Sequence, residues 1–295
     1  LFGIRNIDVT ERHPGIMLAI AFEAVVKIIA FASVGIFICY IVFDSPQDIW
    51  QQARSNVDLE SAFEFPDLGA MFGMLIIVMA AFFVLPRQFH VMIVELRDEQ
   101  DAWLSRRIFP LYLLIFAFFS APLGLAGYLL LGNSVPADMY VLVLPWRQDQ
   151  TWLTLFAFLG AISAASSMVI VSTIALSTML SNEIVFPILF KKNKHPTQYN
   201  AFRLKLLNIR KLLVLFVSLL SYLVFLFLPP TTLSSLGVTA LGALAQLTPA
   251  LIAAFYWRRA TLKGVFSGIC IGFSLWMLIN FLPQLGFYQS PLEGT

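Results

Sequence analysis

Seven apolar runs, at roughly 15–43, 68–86, 108–131, 151–181, 207–228, 232–257 and 262–283, take up most of this 295-residue chain. Each approaches or exceeds the ~20 residues an α-helix needs to cross about 30 Å of hydrocarbon. The expected fold is therefore an all-α polytopic membrane protein with seven transmembrane helices. Charged residues make up 12% of the chain, about half the share found in soluble domains, which also points to the bilayer as the solvent.

Basic residues orient the spans. Placing the segments before run one and after runs two, four and six on one side gathers sixteen of the 19 Lys and Arg residues there. The opposite side holds only Arg54 and Arg147, and Lys27 lies inside run one. By the positive-inside rule the N-terminus is expected in the cytoplasm of a bacterial-type inner (plasma) membrane. Residues 1–14, polar and charged and not preceded by the n-region and h-region of a signal peptide, are then expected to form a cytoplasmic segment, residues 15–288 the membrane domain, and 289–295 an external tail. The net charge of +2 gives no sign of a nucleic-acid partner.

The polar groups inside the spans are few. Glu23 and Lys27 are four residues apart on one face of run one, the favoured orientation for a helical ion pair. An ionisable residue in a membrane is a functional-site hypothesis; self-neutralisation for packing is the alternative. Run four carries eight hydroxyls between Ser163 and Glu183. At about 100° per residue, Ser163, Ser166, Ser167, Thr173, Ser177, Thr178 and Ser181 share one face of roughly 140°. That face should meet other helices or a polar path. Run two ends in FFVLPRQFHVMIVE, where Pro86 removes a backbone donor. Either the span ends there and an amphipathic helix begins at Gln88, or the helix is discontinuous as in secondary transporters, with Gln88 and His90 at the break.

Other features bear on packing. Ser45–Pro46 reads as an N-cap followed by Pro at the first helical position, with Ile49, Trp50, Ala53 and Val57 on one side of a short interfacial helix. Pro136–Trp146 is apolar but too short to span. Gly264, Gly268 and Gly272 repeat at intervals of four, a small-residue packing face. Cys39 and Cys270 lie inside apolar runs and are expected to be buried structural thiols. Neither a phosphate loop nor a metal-spaced cluster nor a nucleophile–base pair is present; the region is not expected to be an enzyme or to bind an organic cofactor.

Four stretches carry a family resemblance: FGIR…ERHPGIMLAIAFE, LPRQFHVMIVE, the hydroxyl helix ending in SNE, and QLTPALIAAFYWRRATLKGVFSGICIG. Together they resemble the sodium:solute symporter family, which has a LeuT-like fold of two inverted five-helix repeats. LPRQFHV and ALSTMLSN are similar to a subgroup in which such a domain is the N-terminal part of a sensor histidine kinase. The resemblance implies that run one is the fifth core helix, runs two to six the second inverted repeat, and run seven an accessory helix. It places core helices one to four before Leu1 and any kinase region, with its response-regulator partner, after Thr295. It further implies a small solute such as an amino acid as ligand and Na+ as coupling ion. Ala164 falls on the sodium-ligating carbonyl position and Ser167 on the first hydroxyl position. Met168 occupies the second, where a thioether is a poor ligand for a hard cation. Gln88, His90, Gln246, Ser163 and Ser166 are the substrate-path candidates. A stand-alone sodium-coupled symporter of the proline type is the alternative to a kinase-linked sensor.

Overall fold

The computed structural model describes residues 14–63, 67–96, 98–188, 199–227 and 233–285, and every regular element among them is helical. The chain forms two compact units, one of Arg12–Phe65 with Glu95–Val171, the other chiefly of Pro66–Val94 with Ser172–Thr295. The expected tail at 289–295 and the segment before Pro14 lie outside the described residues.

The first unit is built from α1 (Pro14–Phe37), α2 (Pro46–Arg54), α5 (Glu99–Leu131), α6 (Tyr140–Arg147) and the first two-thirds of α7 (Thr151–Leu180). Its core is a cluster of Val34, Ile38, Cys39, Ile49, Phe119, Leu123, Tyr140, Leu144 and Ala157. Small residues let these helices approach closely, the usual device where lipid leaves no hydrophobic drive for association. A Cβ on Gly35 would lie 2.3 Å from the Phe119 ring, one on Gly127 2.1 Å from the Tyr140 ring, and one on Gly160 2.8 Å from the Ala30 Cβ. Phe31 stacks on Phe116 at 4.8 Å between centroids, tying α1 to α5 further along.

The short helix after run one forms as its cap predicts: the Ser45 hydroxyl accepts a hydrogen bond from the Asp48 amide at 3.2 Å. Only Ile49 and Ala53 of its expected apolar side are buried. Trp50 is half-exposed against Phe63 and the Arg54 guanidinium, and Val57 lies beyond the helix and is exposed. The apolar piece at Pro136–Trp146 becomes α6, with Tyr140, Leu144 and Pro145 buried. α5 begins nine residues ahead of its apolar run because Asp98 caps it, accepting from the Glu99 amide at 2.7 Å. Its first turns carry Arg107 stacked 3.8 Å over Trp103.

The second unit holds α3 (Leu68–Val84), α4 (Pro86–Phe89, continued by a π turn, His90–Val94), α8 (Tyr199–Phe227), α9 (Leu233–Ala245), α10 (Thr248–Tyr256) and α11 (Leu262–Trp276, continued through a π turn to Gln284), with the end of α7. α3 packs on α9 and α10. The Trp276 indole donates to the Thr239 carbonyl at 3.2 Å, and the Gln284 amide reaches the Thr239 hydroxyl at 2.6 Å, joining α11 to α9. α8 is fastened to the π turn that continues α7 (Ser181–Val185) by Arg210, 3% exposed, which donates to the Ser181 hydroxyl at 3.3 Å and to Asn182 Oδ1 at 2.8 Å.

Several expectations change. Among the described residues six helical segments are long and apolar enough to span a membrane, α9 and α10 together counting as one over Ser235–Tyr256; the expected second span is a pair of helices bent by 52°, which gives seven if the pair is one span. Pro86 accounts for this, since it removes the donor that would continue the helix. Run six is interrupted after Ala245, ahead of Pro249. The glycine face on α11 is packed tightly only at Gly272, whose Cβ would meet Gln246 Oε1 at 2.6 Å; Gly268 has nothing within 4 Å. Cys39 is buried as expected, whereas Cys270 is exposed on α11.

Candidate functional site

Two helix breaks lie side by side in the second unit. At the first, Leu85 leaves the helical region (φ −53°, ψ 117°), the conformation a residue before proline prefers. The Leu85 amide still bonds the Ala81 carbonyl at 2.9 Å, and the Phe89 amide bonds Leu85 at 2.9 Å, so the chain turns by 52° without losing either helix end. At the second break the hydrogen bonds shorten their reach by one residue. The Gln246 amide bonds the Ala243 carbonyl at 3.3 Å and Leu247 bonds Leu244 at 3.0 Å, before Leu251 returns to the regular spacing on Leu247 at 3.1 Å. Pro249 has no N–H, so the Ala245 carbonyl loses its ordinary helical donor. The breaks are tied directly: the Thr248 hydroxyl donates to the Ala80 carbonyl in the last turn of α3, 3.1 Å away.

Of the substrate-path candidates, Gln88, His90 and Gln246 sit at these breaks, whereas Ser163 and Ser166 lie on α7. Gln88 is in α4, half-buried, and its side chain makes no hydrogen bond among the described residues; His90 opens the π turn that follows. Gln246 is at the second break, its amide nitrogen turned back to the Gly242 carbonyl at 3.3 Å and its oxygen against Gly272. No hydrogen bond joins Gln88 to Gln246. These two half-buried amides, with backbone carbonyls at the breaks, supply neutral donors and acceptors of the kind that recognises a polar solute in an apolar wall.

The sodium-path residues lie on α7 in the first unit, where the helix is regular. Ala164 and Ser167 are one turn apart, both half-buried, so the Ala164 carbonyl and the Ser167 hydroxyl share a face. The carbonyl keeps a second lone pair beyond its helical bond. The Ser167 hydroxyl has no hydrogen bond among the described residues. Ser166 is committed elsewhere: its hydroxyl bonds back to the Ile162 carbonyl at 2.5 Å and to Ser163 at 3.1 Å. Met168 is half-exposed on the adjoining face. Further along the stripe, Thr173, Ser177 and Ser181 are buried. Ser177 bonds back to the Ile174 carbonyl of its own helix at 3.0 Å, whereas Ser181 accepts from Arg210 of α8 and so joins two helices.

The intramembrane charges form a third cluster. Lys27 Nζ is 3.8 Å from Glu23 Oε1 and 6.0 Å from the centre of the Tyr112 ring. The Tyr112 hydroxyl is buried without a hydrogen-bond partner. Among the described residues no group of three or more His, Cys, Asp or Glu is placed to hold a metal.

Sequence reasoning found the first break and overlooked the second. QLTPA was read only as part of a family signature, although its proline inside run six carried the same physical warning as Pro86. The buried Arg210 had no such signal, since in sequence it is one more basic residue at one end of a span.

No family model, curated protein or solved structure matches the chain.

Proposed function

We propose that the chain is part of a membrane module that binds or translocates a small solute such as an amino acid, in the manner of sodium:solute symporters, and that in the full-length protein it reports to a sensor histidine kinase. The pair of adjoining helix breaks, linked from Thr248 to Ala80, carries this reading. A discontinuous helix costs backbone hydrogen bonds in a medium that offers no substitute, and interrupted spans in transporters line the substrate and ion path. Gln88, His90 and Gln246 are the proposed solute contacts. Sodium is the proposed coupling ion, held on this chain by the Ala164 carbonyl and the Ser167 hydroxyl, with the remaining oxygens supplied from elsewhere in the protein. Met168 leaves that ion one ligand short of the family pattern, which favours a sensor that binds over a transporter that concentrates.

The test is equilibrium binding of a labelled amino-acid panel to the full-length protein in nanodiscs, with and without sodium. One amino acid should bind saturably and lose at least tenfold in affinity when Gln88, His90 and Gln246 are replaced by Ala. Unchanged affinity removes them from the path. Sodium should strengthen binding in the wild type and do so less in Ser167→Ala; equal sodium dependence removes Ser167 from the ion site.

A further inference from the structure

The hairpin formed by α10 and α11 encloses a cavity of about 430 Å³, half open to its surroundings. Its walls are small side chains, Ala250 and Ala253 from one helix and Gly264 and Gly268 from the other, and Arg259 and Trp257 stand where the chain turns. The volume is in the range of pockets that hold small organic ligands. Gly268 faces open space, so this stretch of the glycine series packs no helix among the described residues.

The charges at the turn decide what fits. Arg258, Arg259 and Lys263 fall within six residues, all exposed, and none has an ion pair among the described residues. Neither helix of the hairpin contains Asp or Glu, nor do α3 and α9, the helices packed against it. The sequence carries no acidic residue between Glu183 and Glu293. The Gly264 amide at the start of α11 is already capped by the Thr261 hydroxyl at 3.2 Å, so the three side chains rather than the helix end are left for an anion. Tyr256 and Trp257 are exposed next to them, as aromatic residues are at the level of lipid headgroups. The arrangement is therefore an apolar groove running into the membrane from a cationic, aromatic mouth at its surface.

We propose that this hairpin is a binding site for an anionic phospholipid, its phosphate held by Arg258, Arg259 and Lys263 and one acyl chain lying along the glycine–alanine groove. The site does not depend on the solute-handling reading. Basic residues at a membrane surface strengthen anionic-lipid binding by about fivefold each, so Arg258→Gln/Arg259→Gln/Lys263→Gln should weaken binding on the order of a hundredfold.

The experiment is native mass spectrometry of the full-length protein in detergent, titrated with phosphatidylglycerol and, separately, phosphatidylcholine. Phosphatidylglycerol should bind the wild type in preference to phosphatidylcholine, and the triple variant should lose that preference. Gly268→Leu, which fills the groove and leaves the cations in place, should also lose it, and the open space at Gly268 lets that variant fold. The proposal is overturned by equal binding of the two lipids. It is overturned as well by a triple or Gly268→Leu variant that keeps the preference, or by soluble glycerol phosphate competing as strongly as the lipid.

Discussion

Separating the partners of the Glu23–Lys27 pair should cost far more than removing both. Lys27 lies ten residues, about 15 Å of helix rise, into a span that starts at Met17, roughly half the depth of the hydrocarbon. At 3.8 Å two unit charges attract by about 4 kcal/mol at an effective dielectric of about 20. Desolvation offsets most of this in the folded protein, so the pair as a whole is worth little, but a lone buried charge costs about 3–5 kcal/mol. The two single variants should differ. The Glu23 side chain is 9% exposed and has no route out, whereas Lys27 is 31% exposed on a flexible stem that can carry its ammonium toward the interface. Lys27→Met is therefore the more damaging change, Glu23→Gln the milder, and Glu23→Leu/Lys27→Leu should come within about 1 kcal/mol of the wild type. Thermal unfolding in nanodiscs of fixed lipid composition measures all four proteins. Additive losses, with the double variant worse than either single one, would refute the reasoning. A double variant of native stability that no longer binds solute would move the pair from packing to function.

Three further outcomes follow from the same geometry. Gly35→Ala should destabilise by about 1–3 kcal/mol, because its Cβ would sit 2.3 Å from Phe119, whereas Gly124→Ala, with nothing within 4 Å, should be neutral or slightly stabilising in the same unfolding assay. Tyr112→Phe removes a buried hydroxyl that has no partner, so it should leave stability unchanged or raise it by up to about 1–3 kcal/mol; a loss would mean that the hydroxyl is satisfied. Burial, and secondarily Tyr128, raises the Tyr140 phenol above its ordinary value. The neutral form is thus favoured in the fold, its contribution is complete below about pH 10, and it is lost as the pH rises through the higher folded value. Tyr140→Phe should flatten that alkaline loss in a pH series of unfolding measurements.

The fold was largely legible in the sequence because lipid imposes so few choices. Apolar length marked the spans, and the Ser45 cap opened a helix where such residues do. What failed was the reading of partners. Gly264, Gly268 and Gly272 have identical spacing, but only Gly272 faces another helix closely; spacing defines a face and cannot say what lies against it. Cys270 was misjudged for the same reason, since an apolar run does not distinguish the lipid side of a helix from its packed side. The hydroxyl stripe is one face in the sequence but divides in the structure: Ser177 and Ser181 are buried and hydrogen-bonded, and the Ser167 hydroxyl has no hydrogen bond among the described residues. The link from Thr248 to Ala80 spans 168 residues, and no local pattern announces a contact of that range.

The most direct test of the solute-handling reading is uptake of labelled amino acids by proteoliposomes of the full-length protein, with and without an inward sodium gradient, run beside equilibrium binding. The account predicts saturable binding of one amino acid that weakens in Thr248→Val, where the tie between the helix breaks is cut. Sodium-driven accumulation should be small, as the thioether at Met168 implies. Absence of both binding and uptake across the panel would contradict it and leave the helix breaks as features of a membrane anchor.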